Sequence, residues 1–385
     1  KTEGREEKAM IYLNHAATTY PKPQRVLEAV ARSLNDVPES QYRSVSCGEY
    51  KEDIIGLCRG NLARLFHIEN PERIFLTSGS TQALNMAILG FRSERKRIVY
   101  TAAEHNAVLR TIFDGLKEEI ASGKIVPVEV GCDRGGYVDM EAMERAVTED
   151  TGLVIVNHSS NVTGAVQDIG RIGGWARERG ACFLVDASQS AGALPVDVES
   201  MKIDMLAFTG HKGLYGIQGT GGLYVREGIA LRPLLFGGTG KDSRILTPEE
   251  PFYEVGTMNM PGIAGLCAGA AFVLETGPET IMAHERKLMK TLYEGLREHP
   301  GVVLCGDRQP EGCALSFTVP GFPPADIGYI LAGAYGIQVR TGLHCAPLIH
   351  KYLGTERDGT VRVSVSAMTK PEDVTALVEA VKEMV

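Results

Sequence analysis

From residue 73 onward, short runs of apolar and β-branched residues alternate with longer segments whose apolar positions recur at helical spacing. Arg73–Thr77, Arg97–Thr101, Leu153–His158, Cys182–Asp186 and Met205–Thr209 read as strands, each ending in turn-forming or polar residues. Gln82–Phe91, Ala107–Ala121, Met140–Val147 and Ile169–Arg179 read as the helices between them. This alternation predicts an α/β unit on a largely parallel sheet. Beyond Gly277-Pro278 the rhythm changes to a long charged helix over Glu279–His299, strand-like runs near 301–305 and 313–319, a helix near 324–335 and a last helix over Pro371–Val385. A second, α+β unit is therefore expected. The division predicted is an N-terminal segment over 1–14, a large domain over 15–276 and a small domain over 277–385. Lys1–Ala9 is charged and patternless while Met10-Ile11-Tyr12-Leu13 opens a strand-like run, so Met10 is the expected natural start. No internal repeat or Pro-rich linker separates the units, and tight packing between them is expected.

A chain of 385 residues exceeds what one hydrophobic core usually supports, in keeping with two units. The net charge of −8, without a Lys/Arg stripe interleaved with aromatics, gives nothing to recruit a phosphate backbone, so no nucleic-acid partner is expected. The most apolar stretch, Ile263 to Leu274, is shorter than the roughly 20 residues a membrane helix needs, so no membrane span is expected. Eight cysteines are scattered with no Cys-x-x-Cys, which points to a reducing, cytoplasmic setting. Gly237-Gly238-Thr239-Gly240-Lys241 resembles a nucleotide loop only superficially, because Leu235 and Asp242 replace residues that loop requires.

Polar residues cluster where predicted strands end, the edge at which α/β sheets bind ligands. Ser78-Gly79-Ser80-Thr81 follows a strand and opens a helix, offering N–H groups and hydroxyls to an anion, or simply capping the helix. Asp186 closes the apolar run Cys182–Val185 and is followed by Gln189. Thr209-Gly210-His211-Lys212-Gly213 ends the next strand with a hydroxyl, an imidazole and an amine between glycines. A buried lysine there can lose its proton and act as a nucleophilic amine. Pyridoxal phosphate needs a phosphate cradle, a carboxylate for its ring nitrogen, a planar side chain over the ring and an amine, and these strand ends supply all four.

From Tyr12 to the C-terminus the chain resembles class V, fold-type I pyridoxal-phosphate enzymes, and within them the cysteine desulfurase and selenocysteine lyase group. The resemblance is carried by Tyr12-Leu13-Asn14-His15-Ala16-Ala17-Thr18-Thr19, Thr77–Asn85, Glu104-His105-Asn106-Ala107, Ser160-Asn161-Val162-Thr163-Gly164, Val185-Asp186-Ala187-Ser188-Gln189 and Gly210-His211-Lys212. It implies a large domain with a mostly parallel seven-stranded sheet and a smaller α+β C-terminal domain. It further implies that Lys212 holds the cofactor as a Schiff base, Asp186 pairs with the pyridine nitrogen and His105 stacks on the ring. Gln189 and Asn161 would meet the phenolic oxygen, and Ser80, Thr81, Thr209 and His211 the phosphate. Thr257, in Glu254-Val255-Gly256-Thr257, would reach the phosphate of a second subunit, so a homodimer is expected.

Arg340-Thr341-Gly342-Leu343-His344-Cys345-Ala346-Pro347 resembles the short catalytic-cysteine loop of Suf-type desulfurases, and Val361-Arg362-Val363-Ser364 the strand bearing the substrate-carboxylate arginine. The resemblance implies L-cysteine or L-selenocysteine as substrate, a persulfide on Cys345 and an acceptor protein for the sulfur or selenium, the alternative being another class V lyase or aminotransferase in which Cys345 is incidental. Arg362, or Arg340 in its place, would grip the substrate carboxylate, with Asn14 and His15 lining the substrate site. Arg340 and His344 flank Cys345 and are expected to act on its thiol as cations. His344, Cys345 and His350 are too loosely spaced, without a second cysteine pair, to predict a metal site. Asn106 and the stretch Arg43-Ser44-Val45-Ser46, beside Cys47, depart from the Suf-type pattern, which bears on substrate choice.

Overall fold

The computed structural model describes residues 10–35, 53–238, 244–247 and 252–385. The Arg43–Cys47 departures and residues 1–9 lie outside the described residues. The chain opens with strand β1 (Ile11–Tyr12), helix α1 (Gln24–Asn35) and helix α2 (Ile54–Phe66). Strand–helix alternation then runs through β2 (Ile74–Thr77), α3 (Ser80–Gly90), β3 (Arg97–Thr101), α4 (Asn106–Phe113), α5 (Lys117–Ala121), β4 (Val126–Val130), α6 (Met140–Ala146), β5 (Thr151–Asn157), α7 (Ile169–Glu178) and β6 (Cys182–Asp186). Strands β7 (Met205–Thr209) and β8 (Gly221–Val225) and helix α8 (Met260–Thr276) complete the first unit. The remainder is α9 (Pro278–Arg297), β9 (Val303–Leu304), β10 (Ala314–Thr318), α10 (Pro324–Ile330), β11 (Ile337–Gln338), β12 (Arg340–Gly342), α11 (Ile349–Leu353), β13 (Thr360–Ser364) and α12 (Pro371–Met384).

The seven-stranded sheet has the order β2-β8-β7-β6-β5-β3-β4 and is parallel except for β8, which runs antiparallel to both neighbours. Its central strands bury alternate residues on opposite faces. Val154, Val156, Phe183, Val185, Leu206 and Phe208 pack under α2, α6, α7 and α8. Leu153, Ile155, Leu184, Met205 and Ala207 pack under α3 and α4. Burial on both faces explains why these strands are apolar throughout rather than alternating. Because β2, β3, β5, β6 and β7 share a direction, Thr77, Thr101, Asn157, Asp186 and Thr209 end on one edge.

The helix expected over 107–121 is two helices, α4 and α5, broken at Gly115, where a Cβ would lie 2.5 Å from the Thr111 carbonyl oxygen. The helix expected near 324–335 ends as α10 at Ile330 and continues as a wider π-helical turn over Leu331–Tyr335. The second core joins α9, α12 and a four-stranded sheet of order β12-β13-β10-β9. Leu13, fully buried, belongs to this core, and β1 pairs in parallel with β11. The N-terminal segment thus threads back to the C-terminal unit and brings Asn14 and His15 to the boundary between the cores. Among the described residues no single helix is long and apolar enough to cross a membrane.

Candidate active site

The edge formed by the ends of β2, β3, β5, β6 and β7 carries most of the predicted site. At the first of these ends, Gly79 caps α3 with φ 148° and ψ 174°, a conformation that only glycine adopts readily, and without a side-chain bond to the helix. The first turn of α3, with Ser80 and Thr81, therefore presents N–H groups and hydroxyls to an anion. A Cβ on Gly79 would lie 3.8 Å from Thr209 Oγ1, which places Thr209 beside this turn.

After β3, His105 caps α4, its Nδ1 accepting from the Ala107 N–H at 3.0 Å. The neutral ring therefore carries its proton on Nε2. Burial lowers the His105 pKa, while Asp186 acts in the opposite sense. Glu104, given no role by the sequence reading, is fully buried. Its Oε1 accepts from Thr101 Oγ1 at 2.7 Å and from the Asn157 N–H at 2.8 Å, stitching the ends of β3 and β5 together. Burial pushes its carboxyl up to about 8.

Asp186 Oδ1 accepts from the Ser188 N–H at 2.9 Å and from Ser188 Oγ, an Asx-type turn that leaves Oδ2 for a ligand. Gln189 commits one Nε2 hydrogen to the Ala16 carbonyl at 3.0 Å, and Asn161 one Nδ2 hydrogen to the His344 carbonyl at 2.6 Å. Each amide keeps a second N–H. Lys212 follows β7, and burial lowers its amine pKa from an ordinary 10.5 to about 8, against the opposing pull of Asp186. His211 is held down to about 4 by burial and then by Lys212 and Lys22, and its carbonyl accepts from Lys22 Nζ at 2.8 Å.

From the other core, β12 and β13 pair in antiparallel register with Arg340 opposite Arg362. Arg362 is 0% exposed, donating from Nη1 to the Asn161 carbonyl at 2.8 Å and from Nη2 to Asn14 Oδ1 at 2.9 Å. Burial and then Arg340 lower its pKa to about 10. Arg340 Nη2 lies 3.4 Å from Cys345 Sγ. One expectation is corrected here. His344 is not a second cation on the thiol, because burial and the two arginines push it down to about 2. His15 Nε2 lies 3.0 Å from the Tyr12 carbonyl oxygen and 3.1 Å from Thr369 Oγ1, its Nδ1 is buried without a partner, and burial lowers its pKa to about 4. Thr257 is exposed in the single chain.

The edge fits pyridoxal phosphate. His211 Nδ1, Asn161 Oδ1 and Arg362 Nε are buried and unpartnered, a state that costs about 1–3 kcal/mol per group and that a polar ligand relieves. An uncapped helix start, a half-open carboxylate and an amine of lowered pKa complete the match with the cofactor's phosphate, ring nitrogen and aldehyde.

Residues 11–377 match the family profile described as Aminotransferase class-V. A "Probable cysteine desulfurase" from Methanothermobacter thermautotrophicus is 33% identical over 97% of this chain and 94% of its own. Among solved structures, the apo cysteine desulfurase of Thermococcus onnurineus NA1 superposes with a TM-score of 0.84 at 31% identity, covering 98% of this chain and 94% of that one. The cysteine desulfurase CsdA of Escherichia coli gives a TM-score of 0.84 at 27% identity, covering 97% of this chain and 94% of that one.

Proposed function

Because the chain belongs to the class-V aminotransferase family and, within it, to the cysteine desulfurases, we infer that it is a pyridoxal-phosphate-dependent enzyme removing sulfur from L-cysteine to leave L-alanine. The observation that carries the reading is the register of β12 on β13, which sets Arg340 on the Cys345 thiol directly opposite the buried Arg362. When bound, pyridoxal phosphate supplies the electron sink for carbanion chemistry at the substrate Cα. The rest is done by the protein's own side chains.

The Lys212 amine, neutral in a large fraction near pH 8, attaches the cofactor and then serves as base toward the substrate Cα–H. Asp186, fixed by Ser188, would hold the proton on the pyridine nitrogen, and His105 would cover the ring. Ser80, Thr81, Thr209 and His211 would hold the phosphate, and Gln189 and Asn161 would offer their spare N–H groups to the phenolic oxygen. Arg362, braced by Asn14 and the Asn161 carbonyl, grips the substrate carboxylate. The Cys345 thiolate attacks the substrate sulfur: an S–S bond forms, the C–S bond breaks, its electron pair stays with the carbon skeleton, and that carbon is protonated to give alanine. Cys345 is left as a persulfide, to be passed to the thiol of an acceptor protein. Mass spectrometry after L-cysteine should find one added sulfur on Cys345 with a matching yield of alanine, and a persulfide confined to another cysteine would overturn the assignment. The same assay with L-selenocysteine measures the preference between the two substrates.

Asp186→Asn should bind cofactor yet lose roughly a hundred- to a thousandfold in turnover, as expected when a charge stabilising the transition state is removed. Near-wild-type turnover would show that the pyridinium is held by another group. The active unit is a homodimer in which Thr257 reaches the partner's phosphate. Its segment is fixed by Glu254, which accepts from the Leu76 N–H at 2.6 Å and pairs with Arg59 at 2.5 Å. Phe236 and Leu246 are 79% and 89% exposed, surface that a second subunit would cover. Light scattering should give the mass of two chains, and a fully active monomer would contradict the arrangement.

A further inference from the structure

In the Cys345 loop two consecutive residues with side chains are left-handed, φ 51° at His344 and 61° at Cys345. Such a pair persists only where its surroundings over-determine it. The restraints are all visible. Asn161 Nδ2 donates to the His344 carbonyl at 2.6 Å, the Asn106 N–H donates to the Cys345 carbonyl at 2.7 Å, and the Ala346 N–H closes the turn on the Leu343 carbonyl at 3.0 Å. The His344 ring is 2% exposed, and its Nε2 lies 2.9 Å from Oγ1 of Thr360, the first residue of β13. Two positions along the same strand stands Arg362.

Flanking a nucleophilic thiol, a histidine suggests either a cation or a base. Neither suits this one, because burial beside Arg362 and Arg340 keeps the imidazole uncharged, Nε2 already faces Thr360, and Nδ1 is buried without a hydrogen-bond partner, the Cys345 thiol included. What remains is mechanical. We propose that His344 is a positioning residue for sulfur transfer: anchored to Thr360, it fixes the left-handed pair and so sets the Cys345 thiol relative to the substrate held by Arg362 on the same strand. This rests on the reading of Cys345 as nucleophile and adds to it the part that places the nucleophile.

The test uses the holoenzyme with His344→Ala, His344→Gln and Thr360→Val. Thr360→Val preserves side-chain shape and leaves the imidazole in place, so it decides the matter should His344→Ala not fold. The cofactor absorbance change on adding L-cysteine should keep its wild-type amplitude and half-saturation, since Lys212, Asp186 and Arg362 are untouched. Single-turnover persulfide formation on Cys345 should fall roughly ten- to a hundredfold, the range expected when a reacting atom shifts by about 1 Å. The amide of His344→Gln can reach Thr360 as Nε2 does and should recover much of that rate. Wild-type persulfide formation in Thr360→Val would overturn the proposal, as would a parallel fall of the absorbance response, which marks general damage. A glutamine variant as slow as alanine would also overturn it. Failure of the underlying reading looks different: Cys345→Ala would then still transfer sulfur, whatever the state of His344.

Discussion

Replacing Lys212 with alanine will lower alanine release from L-cysteine by at least about a thousandfold, because one side chain both attaches the cofactor and moves the Cα proton. The structure explains how a lysine can do this near neutrality. Burial after β7 disfavours its cation and brings the pKa from 10.5 to about 8. Covalent capture of pyridoxal phosphate by the cofactor-free protein should therefore accelerate up to about pH 8 and then level, where an exposed lysine would still be climbing. The sign for stability follows from the same shift: between pH 8 and 10.5 the unfolded chain binds more protons at this site than the folded one. Folding of the cofactor-free protein thus gains from this group as pH rises through that window and bears the full burial cost below it. Borohydride should fix the cofactor to the Lys212 peptide in the wild type. A Lys212→Ala protein that still yields a reduced cofactor adduct elsewhere would sink the assignment.

The strands that matter most for chemistry were the easiest to read, for a physical reason. Burial on both faces makes β5, β6 and β7 continuous apolar runs, and the ligand edge must then end them in polar residues, so Asp186 and the Thr209–Lys212 turn stand out against their neighbours. Strand β8 hid because it starts with Gly221-Gly222, poor strand formers; glycine is needed at 222, where a Cβ would lie 2.4 Å from the Phe208 ring. Strand β4 hid because it lies at the edge of the sheet and contains Pro127. Helix α8 was legible only as the apolar stretch Ile263 to Leu274, and its glycines serve close packing, since at Gly269 a Cβ would lie 2.2 Å from the Leu214 carbonyl oxygen. In the site, residue types were legible but their charge states were not. His344 beside Cys345 looks cationic in a string of letters; only burial and two arginines brought in by strand pairing show it neutral. Likewise the double use of Asn161, side chain to the His344 carbonyl and carbonyl to Arg362, arises from three separated segments meeting.

Cys345→Ala will bind its cofactor and respond to L-cysteine as the wild type does, yet lose sulfur transfer by roughly a thousandfold or more, as when the nucleophile of a covalent mechanism is removed. The two outcomes separate because the groups responsible sit on different elements. Lys212 and Asp186 belong to the parallel sheet, and Arg362 is held by Asn14 and the Asn161 carbonyl without help from the thiol. What the mutant lacks is the acceptor for the departing sulfur. With the thiolate in place, the C–S bond breaks as the S–S bond forms and its electron pair stays with carbon; without it, the sulfur must pass to a solvent thiol or leave with that pair as sulfide, which gives pyruvate and ammonia instead of alanine. Selenium leaves more readily, so Cys345→Ala should retain more of its activity toward L-selenocysteine than toward L-cysteine, and the ratio of the two losses measures how much of the step depends on nucleophilic attack. Arg340→Lys gives a finer control, since it keeps a cation near Cys345 Sγ while removing the planar fork that now lies 3.4 Å away. Alanine produced from L-cysteine by Cys345→Ala at the wild-type rate, with the sulfur at the zero-valent level taken up by an added thiol, would show that this loop takes no part in the chemistry, whereas pyruvate and sulfide would mark simple elimination.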